Sequence, residues 1–75
     1  MKRYLNLAGN SGVVAYEIDD DAITIEFADG GVYLYNSTAP GPEDVEQMQE
    51  LAEQGRGLAT YINRFVRDNY ALKKK

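Results

Sequence analysis

Apolar and polar residues alternate along two early stretches, 13–18 (VVAYEI) and 22–28 (AITIEFA). Period-two alternation is the mark of a half-buried strand. Ile23, Ile25 and Phe27 fall on one side, Thr24 and Glu26 on the other. Asp19-Asp20-Asp21 between the stretches reads as a turn, because Asp tolerates unusual backbone angles and bonds its own backbone. Pairing Ile18 with Ile23 would place Val14, Tyr16 and Ile18 on the face of Ile23, Ile25 and Phe27. Asp29-Gly30-Gly31 turns the chain again, into a third strand at 32–36 (VYLYN). Here two registers compete. A two-residue loop puts Val32 and Leu34 in the core and sends Tyr33 and Tyr35 outward. A three-residue loop with a glycine bulge packs Tyr33 against Phe27 and Tyr35 against Ile25.

The period then changes from two to 3.6. Gly41 as N-cap, Pro42 at the first helical position and Glu43-Asp44 in the first turn open a helix. Val45, Met48, Leu51 and Ala52 form its apolar stripe, Glu46, Glu50 and Glu53 its polar side, and Gly55 its left-handed stop. Leu58, Tyr61, Ile62, Phe65 and Val66 recur at helical spacing and predict a second helix over 58–70, with Thr60, Asn63, Arg64 and Arg67 opposite. Asn69 falls on the apolar face near its end. Residues 3–7 add a short edge strand or remain an N-terminal segment (1–10), and the basic tail 71–75 is expected to fray. The fold class is α+β: a three-stranded antiparallel meander followed by two C-terminal helices packed on one face.

Composition narrows the chemistry. Seventy-five residues suffice for one domain, 44% hydrophobic, with a modest core. Neither Cys nor His occurs, which removes disulfides, thiolate metal sites and the commonest general base. The remaining acids cluster in a turn and along an exposed helix face, where nothing desolvates them, so an enzyme is not expected. The three consecutive Asp residues read as a solvated turn rather than a metal site, and no cofactor is implied. No apolar run resembles a signal peptide or a membrane span, so a cytoplasmic protein without membrane contact is predicted.

The net charge of −4 is unevenly spread: −9 over residues 1–55 and +5 over residues 56–75. Arg56, Arg64, Arg67 and Lys73–Lys75 could therefore form a local anion-binding face on an acidic protein.

Several of these residues recur in a known order. Ser11, Tyr16 before the Asp turn, Ile23 to Phe27 before Gly-Gly, Tyr33-Leu34-Tyr35, and Tyr61-Ile62-Asn63-Arg64 with Val66-Arg67 and Tyr70 resemble the KTSC family. That family is named after the C-terminal region of some lysyl-tRNA synthetases and also occurs as small bacterial proteins; the resemblance spans residues 11–70. It implies RNA binding, through Tyr33, Tyr35, Asn63, Arg64 and Arg67. The connector 36–41 and the segment 53–57 depart from the family pattern. So does Leu34, where a polar residue is usual; a polar middle residue implies that the flanking tyrosines face the core. The alternative is a protein-interaction or self-associating module using the outer sheet face (Val13, Ala15, Thr24, Leu34) or a strand edge.

Overall fold

In the computed structural model, which describes residues 1–7, 9 and 11–75, the strands run antiparallel in strict chain order. Strand β1 is Lys2–Arg3, β2 Val13–Asp19, β3 Ala22–Phe27, β4 Val32–Asn36 and β5 Leu72–Lys73; helix α1 is Pro42–Gln54 and helix α2 Leu58–Tyr61. The architecture is α+β, but the sheet has five strands where the alternation predicts three. The two additions are two-residue strands at the sheet edges, too short to show a period. Ala8 and Asn10 of the N-terminal segment lie outside the described residues.

Ile18 pairs with Ile23 and Tyr16 with Ile25, and the turn tightens to Asp20-Asp21 because Asp19 also pairs with Ala22. A register shift between Val13 and Ala15 corrects the assignment of the next residues. Such a bulge adds one residue to a strand and reverses which neighbour faces inward. Val13 is consequently buried and Val14 exposed, the reverse of the alternating pattern; Val13 is therefore not part of the outer face.

The second hairpin closes over three residues. Phe27 donates its N–H to Gly31 O at 2.8 Å, Gly30 donates to Phe27 O at 2.9 Å, and Gly30 takes the left-handed φ of 93°. The loop is Ala28-Asp29-Gly30 rather than Asp29-Gly30-Gly31, so Tyr33 opposes Ile25 and Tyr35 opposes Ile23. Both tyrosines face the core, each opposite a residue two positions earlier in β3 than in the predicted pairs. Tyr33 still meets the Phe27 ring edge-on, with centroids 5.6 Å apart.

Helix α1 follows its sequence signals. Gly41 and Gly55 bound it, Val45, Met48 and Ala52 are buried, and Gly55 caps it with φ 83°. The Gln49 side chain reaches from α1 to the first hairpin and donates to both Asp19 O and Ala22 O at 2.9 Å. Leu58, Ile62 and Val66 complete the core against Tyr4, Val13, Tyr16, Ile23, Ile25 and Tyr35. Tyr4 also accepts the Leu58 N–H through its hydroxyl at 3.3 Å, pinning the N-terminal segment to the start of α2.

The second helix is shorter than its periodicity suggests. After Tyr61 it widens into a π-helical turn, Ile62–Val66. Arg67 donates to Ile62 O at 2.6 Å and breaks away with φ 52° and ψ −120°. The core stripe is then Leu58–Ile62–Val66, which leaves Phe65, predicted buried, 62% exposed. Asn69 lies beyond the helix and in solvent. The tail does not fray: Ala71 donates to Leu34 O and Lys74 to Val32 O, and β5 pairs with β4.

Candidate functional site

The break at Arg67 has a spatial consequence. A helix continued to residue 70 would carry its last turn along one axis; here the chain turns back towards β4 and delivers Tyr70 against the tyrosine strand. Tyr70 packs edge-on to Tyr33 at 4.8 Å and to Tyr35 at 6.5 Å between centroids. Between the end of the π turn and the β3–β4 hairpin lies an open cleft of about 700 Å³. It is lined by Gly12, Phe27, Ala28, Asp29, Tyr33, Tyr35, Ile62, Asn63, Arg67, Asp68 and Tyr70.

Four of the five residues singled out by sequence therefore meet at one place: Tyr33, Tyr35, Asn63 and Arg67. Arg64 does not line the cleft. One residue past Asn63 on the π turn, it is exposed, with its guanidinium 5.6 Å from the Phe65 ring centroid. The aromatic residues are also not the open stacking platform that a bare sheet face would give. Tyr35 is 2% exposed, and Phe27, Tyr33 and Tyr70 are half-buried. The Lys73 ammonium stands 5.8 Å from the Tyr33 ring centroid, a cation–π distance. The docked tail thus brings a cation to the Tyr33 ring, one of the rings that line the cleft.

Burial pushes the Tyr35 hydroxyl up from its ordinary 10.0 to about 12, helped by the neighbouring Tyr33 and Tyr70 phenols and the Asp68 carboxylate. Its phenol is neutral at any physiological pH. Outside the cleft, partial burial and a hydrogen bond donated to Asp44 raise the Tyr61 hydroxyl to about 12 as well. Asp29 closes its own turn, one carboxylate oxygen accepting the Gly31 N–H at 2.9 Å.

Sequence reasoning missed Tyr70, Phe27, Asp29 and Asp68 as lining residues. Asp68 had a visible signal, being the lone acid in the basic last twenty residues. Tyr70 is among the residues that carry the family resemblance, but a regular helix would have placed it away from the cleft. Among the described residues no group of three acids is placed to hold a metal ion. Nor is any helix among them long and apolar enough to cross a membrane. No known protein family, curated protein or solved structure matches this chain.

Proposed function

We propose that this is a non-enzymatic binding domain whose cleft takes one unpaired base of a single-stranded RNA, in the manner the resemblance to the KTSC family implies. The observation that carries this reading is the convergence of Tyr33, Tyr35, Asn63 and Arg67 on one cleft, joined there by Tyr70. An aromatic floor with cations at its rim suits a ligand that is planar at one end and anionic at the other. Bases stack on aromatic side chains with roughly 1–3 kcal/mol each, and Arg bonds two phosphate oxygens at once. Tyr33 and Tyr70 supply the rings, Tyr35 the buried support beneath them, and Arg67 with Lys73 the phosphate contact. Arg64 sits on the adjoining surface, where a following nucleotide would pass. A cytoplasmic setting goes with an RNA ligand.

Binding of this kind is local and weak, because the net charge of −4 repels nucleic acid at long range. Its test is a titration of isotope-labelled protein with short single-stranded RNA at low and moderate salt. Salt-sensitive amide shifts at Tyr33, Asn63, Arg67 and Tyr70, lost in the Arg64→Ala/Arg67→Ala double variant, would support it. Flat spectra at millimolar RNA would sink it.

A second reading, a protein-interaction or self-associating module, has its own observation. Leu72 is 52% exposed and pairs with Leu34 on the outer sheet face, while Val14 and Phe65 are also exposed. Sedimentation across a concentration series, at low and moderate salt, tests the self-associating form of that reading, since an apolar interface responds little to salt.

A further inference from the structure

We propose that the cleft discriminates among RNA bases, preferring those with an exocyclic amino group over uracil, and that Asp68 makes the distinction. This rests on the RNA reading of the same cleft and goes one step beyond it.

The cleft is not a simple anion site. Arg67 and Asp68, consecutive in sequence, both line it, so opposite charges are presented side by side. Their placement follows from the backbone. Arg67 is a non-glycine residue at φ 52°, held there because its N–H closes the π turn on Ile62 O. Sparsely populated backbone angles and π turns concentrate at ligand-binding positions, where surrounding structure maintains them. Of the two lining carboxylates, Asp29 gives one oxygen to the Gly31 N–H of its own turn, whereas Asp68 follows Arg67 directly and its charge reaches the buried Tyr35 hydroxyl; Asp68 is therefore the one we assign to the base edge.

A carboxylate only accepts hydrogen bonds. Cytosine, adenine and guanine each offer it an NH₂ group, and carboxylate-to-amino contacts are a standard means of reading cytosine. Uracil carries a carbonyl oxygen where cytosine carries its amine; its one donor on that edge, N3–H, is flanked by two carbonyl oxygens that repel a carboxylate, so its contact with Asp68 is the weaker one. The cleft's 700 Å³ is within the range of small-ligand sites and has room for a whole nucleotide. With the base edge on Asp68, the phosphate falls to Arg67 and to Lys73 beside Tyr33.

The experiment compares six-nucleotide oligocytidylate with oligouridylate on the full chain, following the amides of Asn63, Arg67, Asp68 and Tyr70. The parent should bind oligocytidylate roughly tenfold more tightly, the discrimination of one good base-edge contact. Asp68→Asn should keep its fold by circular dichroism, still bind, and lose the preference, since an amide can donate to the uracil carbonyl. Equal affinity for both oligomers, or a preference that survives Asp68→Asn, overturns the inference while leaving the RNA reading intact. No cleft shifts with either oligomer brings down both.

Discussion

Tyr33 and Tyr35 are two positions apart on one strand, yet they have different duties. Tyr35 belongs to the core cluster and Tyr33 packs at its margin. Replacing a buried aromatic by alanine costs about 3–5 kcal/mol, so Tyr35→Ala should bring this small domain close to unfolding. Tyr33→Ala should cost less than half as much, both read from urea denaturation. The phenol of Tyr35 also sets a pH limit. Its folded value of about 12 lies above the ordinary 10.0, so the folded state holds the proton more tightly than the unfolded chain. The stabilisation is complete below pH 10 and is lost as pH rises towards 12, on the order of 2 kcal/mol. Urea midpoints from pH 8 to 12 should fall over that interval in the parent and fall less in Tyr35→Phe. The sequence shows that these two tyrosines share a face, through alternation, but not which face. The loop length that decides it depends on Gly30 adopting φ 93°, and Gly30 and Gly31 offer that freedom equally.

Among the elements, α1 is the most legible and the second helix the least. Pro42, the Val45–Met48–Ala52 stripe and Gly55 each carry a local physical signal, and together they mark both ends of the helix. Residues 62–70 keep helical spacing in sequence but not in space. The widened turn is set by tertiary packing of Leu58, Ile62 and Val66 on the sheet, and no residue type announces it. The same holds for Gln49, an ordinary helix residue whose side chain ties α1 to the Asp20-Asp21 hairpin by two hydrogen bonds. Gln49→Ala should destabilise the domain by about 1–2 kcal/mol. It should also speed hydrogen exchange in the hairpin more than in β4, a pattern that a uniform loss of stability would not give. The cleft inherits this division. Its strand side was readable from the Tyr-x-Tyr motif, whereas Tyr70 and Asp68 reach it only because the helix ends early.

For the whole molecule, the charge distribution decides how a ligand would be met. The acidic bulk and basic last twenty residues make any phosphate contact short-ranged, confined within roughly a Debye length of the cleft rim. With two phosphates neutralised, by Arg67 and Lys73, log K against log salt should have a slope of about −1.4 for a single strand. Affinity would then drop roughly sevenfold between 50 and 200 mM salt. A slope near zero with retained binding would assign the contact to the rings alone. A much steeper one would bring in Arg64 and the remaining lysines.

The strict strand order has another outcome at the sheet margins. Each margin is formed by a short strand rich in cations: Lys2–Arg3 on one side, Leu72–Lys73 followed by Lys74 and Lys75 on the other. Exposed strand margins are templates for joining one sheet to the next, and lysine there is a common deterrent. Two copies approaching side by side would bring these cations together, so the ribbon cannot easily be extended by a neighbour. Acetylating these lysines, which removes their charge, should therefore increase strand-to-strand association, read as a larger sedimentation coefficient at the same protein concentration.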